Sequence, residues 1–145
     1  MPVANPSQTV FYAIEKAIKV YRQFAQRRIT SRGIDITVDQ LLILRAIQDH
    51  EEITQKQIAD MVFKDYASIT RIIDLLVKKE YLQRKMHPVD RRRFDLTITT
   101  DGNQVLAQLD ETVASYRKDA LRGISKSEVD SLQKLLQKIT DNCQF

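Results

Sequence analysis

Chain breakers are scarce in this sequence: three glycines and three prolines are spread over 145 residues. A chain so rarely interrupted is constrained toward long helices, because these are the residues that most strongly end them. The apolar spacing agrees. From Val10 to Arg28, apolar side chains fall at Val10, Ile14, Ala17, Ile18, Tyr21, Phe24 and Ala25, three or four residues apart in an amphipathic stripe. Gly33 closes that segment. Thr37 with Gln40 then predicts a capping box, opening a helix from Val38 to about His50 that is apolar on nearly all sides and therefore buried. Thr54 with Gln57 repeats the device for a short helix with Ile58, Ala59 and Val62 inward. Asp65 is the N-cap of a helix through Lys79, its inner face formed by Ile69, Ile72, Ile73, Leu76 and Val77. There the period changes. Phe94 to Ile98 alternates as a half-buried strand, Tyr81 to Arg84 is its weaker partner, and His87 to Asp90 is turn chemistry. Two more helices follow. One runs from Thr100 to Leu121 with Leu106, Leu109, Val113, Tyr116 and Ala120 in line. The other, capped by Ser125 and Glu128, carries Leu132, Leu135, Leu136 and Ile139.

Composition excludes several classes. With 43% hydrophobic and 29% charged residues the chain is globular rather than disordered. Its longest apolar run, Val10 to Ile14, is far too short to span a bilayer, so no membrane partner is expected. Met1 to Gln8 lacks the pattern of a secretory signal, and the single cysteine, Cys143, excludes an internal disulfide. A cytoplasmic location is the expectation. No glycine-rich phosphate loop, metal-ligand cluster or nucleophile motif is present, so no catalytic residue, metal or cofactor is assigned. His50 reads as a solvated helix end and His87 as a turn residue. Cys143 has no basic sequence neighbour to activate it.

The net charge of +4 is unevenly placed. Residues 53–100 hold 10 basic against 6 acidic side chains, and the segment Gln83 to Arg93 holds Arg84, Lys85, Arg91, Arg92 and Arg93 against Asp90 alone. A concentrated basic patch is the footprint of polyanion binding, although a solvated charged face has the same arithmetic. The order of elements separates the two. A short helix, a brief turn and a second helix form the unit that lays its second helix in the DNA major groove, and a following hairpin makes it winged. At the start of that second helix, Ser68 and Thr70 can bond phosphates or base edges. Arg71 can make the two-pronged contact to guanine, and an arginine at the hairpin tip can enter a narrow minor groove.

These residues resemble the MarR family of bacterial winged helix-turn-helix transcription regulators, over nearly the whole chain. The resemblance is carried by Ile53-Thr54 with Gln57-Ile58-Ala59, by Ser68-Ile69-Thr70-Arg71 with Asp74 and Leu76, by Asp90-Arg91-Arg92, and by Leu96-Thr97-Ile98-Thr99-Thr100-Asp101-Gly102. It implies a mainly α fold with a small β-hairpin wing: a winged helix-turn-helix lobe, residues 34–99, between dimerisation helices in residues 1–33 and 100–145. It further implies a homodimer on a pseudo-palindromic double-stranded operator, usually a repressor, relieved by a small-molecule effector. By position, Ser68, Thr70 and Arg71 would face the major groove. Arg92 would be the wing-tip arginine with Arg91 and Arg93 near phosphates or local acids, and Asp90 would organise the wing. Tyr12, Tyr21, Phe24 and Tyr116 are candidates for lining an effector crevice, or for the core. One position departs from the pattern: many members carry glycine where this chain has Phe63, and a positive φ there would strain a phenylalanine. The competing class is a helical interaction protein that keeps the winged fold without binding DNA. The cluster of Arg91, Arg92 and Arg93 together with Arg71 argues against it.

Overall fold

The computed structural model describes residues 5–144, so the first four residues of the Met1 to Gln8 segment read above lie outside it. A single 3-10 turn, Pro6–Gln8, leads into α1 (Val10–Ser31), which Thr9 caps by accepting the Tyr12 N–H. Then come α2 (Val38–Asp49), α3 (Gln55–Val62), α4 (Tyr66–Lys78), the antiparallel pair β1 (Leu82–Met86) and β2 (Phe94–Ile98), α5 (Thr100–Ala120) and α6 (Lys126–Cys143). This is the expected mainly helical chain with a two-stranded wing. Helices α2, α3 and α6 each open with a complete capping box, at Thr37, Thr54 and Ser125, so their starts are set by local side-chain chemistry.

The core lies where α2, α4 and α5 converge. Ile43 and Leu44 of α2, Ile69, Ile73 and Leu76 of α4, and Leu106 and Leu109 of α5 are fully buried, with Ile58 of α3 and Ile29 of α1 closing the sides. Full burial of such a side chain contributes about 1.5–3 kcal/mol, so this cluster dominates the stability of the lobe. Polar contacts then fix α1 against α5. Arg28 pairs with Asp119, and Arg32 donates to the buried Thr112 hydroxyl at 2.6 Å.

Two elements differ from the sequence reading. The first strand spans Leu82–Met86 rather than Tyr81 to Arg84, because the His87 N–H donates to the Arg93 carbonyl at 3.1 Å and closes the hairpin later. Phe94 breaks the alternation of β2 by being exposed. It lies at the distal end of the hairpin, beyond the core, under the Arg84 guanidinium at 5.3 Å. Helix α6 keeps its apolar stripe but buries none of it against its own chain.

A close backbone approach joins the start of the wing to α5. A Cβ on Gly102 would stand 2.3 Å from the Tyr81 carbonyl oxygen and 2.7 Å from the Ile98 side chain. Gly102→Ala is therefore expected to destabilise the fold by about 1–3 kcal/mol, lowering the thermal midpoint by roughly 2–10 °C. An unchanged melt would contradict this packing.

Candidate nucleic-acid interface

Three aliphatic side chains orient α4. With Ile69, Ile73 and Leu76 buried, the opposite side of the helix exposes Ala67, Arg71, Leu75 and Lys78. The Asp65 carboxylate caps this helix by accepting the Ser68 N–H at 2.8 Å and the Ser68 hydroxyl at 3.0 Å. The same hydroxyl accepts from Arg71 Nη2 at 3.2 Å, so the cap also steadies the guanidinium. Ser68 and Thr70 are half-buried at the two rims of the exposed face. Thr70 is held within the protein, donating to the Tyr66 carbonyl at 3.0 Å and accepting from Gln55 of α3. Of the three residues singled out in the sequence, Arg71 is the one the fold leaves exposed. Ala67, Leu75 and Lys78 share its face. They were missed, although spacings of four and seven from Arg71 signal them.

The turn before α4 is strained. Phe63 has φ 59° and ψ 44°, the left-handed region, and its ring is 93% exposed. The turn is closed by the N–H groups of Phe63 and Lys64, which both donate to the Ala59 carbonyl. A left-handed non-glycine residue costs about 1–2 kcal/mol, and an exposed ring returns no packing energy for it.

The wing divides its cations. Arg84 leaves the group of available charges, since its Nη1 pairs with Asp74 of α4 at 2.7 Å and ties the wing to that helix. Arg93 turns inward: Nη2 lies 3.5 Å from the Glu52 carbonyl, and Nε is buried without a partner. Arg91 and Arg92 are exposed, the Arg92 side chain by 93%. Asp90 accepts both the Arg92 N–H at 3.1 Å and Arg92 Nε at 3.2 Å, while its own N–H donates to His87 Nδ1 at 2.9 Å. The tip is thus a small network centred on Asp90 and His87.

The aromatic candidates separate. Tyr21 and Tyr116 meet edge to face at 5.9 Å, and Phe24 lies under the Arg28 guanidinium at 4.9 Å. Tyr12, 43% exposed, stands apart near the start of α1. Only Tyr116 borders a cleft of about 350 Å³ between α2 and α5, where it lies beside Leu41, Arg45, Asp110 and Arg117. Burial pushes the Tyr116 hydroxyl above its ordinary pKa. Arg45 pairs with Asp110 and donates to the Leu106 carbonyl at 3.1 Å. A cation in the middle of the apolar α2 was the available signal for that cleft. Among the described residues no cluster of side chains could hold a metal, and no helix is long and apolar enough to cross a membrane.

Two outcomes follow for the helix and its turn. Phe63→Gly should stabilise the fold by about 1 kcal/mol, seen as a rise of roughly 2–4 °C in the thermal midpoint, and a fall would mean the ring packs. The Asp65 carboxyl is held below its ordinary value of 3.8 by the Ser68 N–H and hydroxyl. A depressed carboxylate stabilises above its unfolded pKa and loses that effect as pH falls through its folded one. Amide exchange at Ser68, corrected for intrinsic rate, should thus show constant protection from about pH 8 to about pH 5 and lose it only below 3.8. Loss of protection near neutrality would show that another group holds the cap.

The MarR family model matches residues 34–93, from the segment before α2 to the end of the wing loop. The putative transcriptional regulatory protein for the hcr operon of Thauera aromatica is 29% identical over 129 residues, 89% of this chain and 76% of that protein. Bordetella bronchiseptica BpsR, whose DNA binding is regulated by 6-hydroxynicotinic acid, superposes with a TM-score of 0.85 at 21% identity, covering 97% of this chain and 99% of that one. A mutant MarR from E. coli complexed with operator DNA gives 0.84 at 22% identity over 94% and 99%. At those identities the two structures establish a shared fold. The winged lobe thus matches the MarR family model in sequence, and nearly the whole chain shares the fold of these two structures.

Proposed function

We propose that this protein is a homodimeric, sequence-specific DNA-binding transcription regulator, acting as a repressor. The observation that carries the reading is Arg71, exposed and steadied by the Ser68 hydroxyl on the side of α4 opposite its buried face. A guanidinium held this way can bond guanine O6 and N7 together, which a mobile lysine does less well. Ser68 lies beside it for a phosphate or base edge. Arg92, kept at the wing tip by Asp90, suits a narrow minor groove, and Arg91 a neighbouring phosphate. Thr70 contributes mainly by joining α4 to Gln55 of α3.

Dimerisation is supported by apolar surface that one chain leaves uncovered. Phe11 of α1 is 60% exposed and Leu135 of α6 57%, with Val10, Ile18, Leu121, Ile124 and Leu132 also outside. Stripes of this kind on terminal helices suit a two-fold interface, and a two-fold protein suits a pseudo-palindromic operator. The α2–α5 cleft between the winged lobe and α5 is the site proposed for a small-molecule effector, with Arg45 and Tyr116 on its walls. BpsR, regulated by a small organic acid, is the precedent among similar folds.

The full-length protein should sediment at twice the 16.9 kDa of one chain at micromolar concentration. A monomer would contradict the dimer. Arg71→Ala should cost about 1–3 kcal/mol on the specific site and little on random duplex. Equal losses on both would make Arg71 a backbone contact. Arg91→Ala should lower the slope of log affinity against log salt by about 0.9, the share of one phosphate. Arg93→Ala should leave that slope unchanged, because its guanidinium faces Glu52. Failure to bind any duplex, even at low salt, would favour the winged protein that does not bind DNA.

A further inference from the structure

Asp39, in the first turn of α2, joins α1 to the turn before α4 through two ion pairs. Its Oδ1 takes the Arg22 guanidinium of α1, and its Oδ2 takes the Lys64 ammonium at 3.2 Å. Lys64 sits between Phe63, the left-handed residue of the turn, and Asp65, the N-cap of α4. One carboxylate therefore runs from the long scaffold helix to the turn that sets where α4 begins.

The anchor is firmly built. Gln26 of α1 accepts the Val38 N–H at 2.9 Å and donates to the Ile36 carbonyl at 3.1 Å. Lys79, at the end of α4, donates to the Asp35 carbonyl at 2.8 Å and to Gln40 Oε1 at 3.0 Å. The buried Gln40 also completes the Thr37 capping box. The turn is the weaker partner: its left-handed residue has no packing to hold it, since the Phe63 ring is 93% exposed. We infer that Asp39 is a positioning residue for DNA binding, which clamps Lys64 and so holds the strained turn, and the start of α4, in place against α1. The inference rests on the DNA-binding reading above and adds a residue outside the proposed contact surface.

Simple electrostatics predicts the opposite sign. If Asp39 merely kept Lys64 away from phosphates, removing its charge would strengthen binding. The fork argues for a brace, because each carboxylate oxygen already carries a cation and all three side chains are only about a third exposed: Arg22 38%, Asp39 29% and Lys64 32%. Partly buried pairs lose less to solvent screening than fully exposed ones.

The test uses the full chain, with Asp39→Asn, which keeps the shape, and Arg22→Gln, which breaks the α1 arm alone. Operator affinity is measured across salt, and amide exchange is measured at Lys64 and Asp65. Both variants should bind about three- to tenfold more weakly, with an unchanged salt slope and faster exchange in the turn. Adding Phe63→Gly to Asp39→Asn should restore much of the affinity, since glycine adopts the left-handed conformation without a clamp. Tighter binding by Asp39→Asn with a steeper slope would mean that the carboxylate competes with phosphate for Lys64, and would overturn the proposal. Unchanged affinity and exchange would overturn it too. Should the unaltered protein bind no duplex at all, the DNA reading fails, and turn exchange alone still decides whether Asp39 holds the turn.

Discussion

Burial of Ile69, Ile73 and Leu76 fixes the rotation of α4 about its axis, and nearly everything proposed for the surface depends on that rotation. Each of these side chains contributes about 1.5–3 kcal/mol on burial, whereas an exposed ion pair is worth at most about 1 kcal/mol. The core therefore decides which side of the helix faces outward, and surface contacts only refine it. Once those three positions point in, Arg71 must point out, with Ala67 and Leu75 one turn on either side. Asp65 then serves twice, capping the start of the helix and, through Ser68, restricting the arginine.

The wing shows why a charge count overstates an electrostatic surface. Five basic side chains lie between Gln83 and Arg93, yet they are not equivalent. Arg84 is neutralised by Asp74, and Arg93 is turned toward the α2–α3 connection. Lys85, Arg91 and Arg92 remain exposed. The first two arginines connect the wing to the lobe at two heights, through α4 and through the Glu52 carbonyl. Steering of a polyanion thus falls to fewer charges, held at a better-defined place.

Much of the fold was legible because its signals are local. Thr37, Thr54 and Ser125 each form a capping box with a partner three residues on, and the change of period at Phe94 marks the wing. The candidate site was legible at Arg71, Arg91, Arg92 and Asp90 for the same reason. What stayed hidden depends on residues far apart in the chain. Periodicity says that Thr70 lies toward one side of α4, but not that Gln55, fifteen residues earlier, reaches its hydroxyl. It cannot show that Arg93 points to a carbonyl forty-one residues away, or that Asp39 is shared by Arg22 and Lys64. The strain at Phe63 was an exception, because an aromatic in a helix-turn-helix turn stood out against the family pattern. Tyr12 shows the limit of residue type as a guide: it shares the chemistry of Tyr21 and Tyr116 but not their surroundings.

The central claim is that two copies of this chain read one duplex with two-fold symmetry through α4 and the wing. Hydroxyl-radical footprinting on a duplex selected from a random pool tests it most directly. The account predicts two protected segments related by a dyad, centred about 10 base pairs or a multiple apart, with weaker protection in the minor groove outside each. A single unsymmetrical footprint, or protection that shows no preference among sequences, would contradict it.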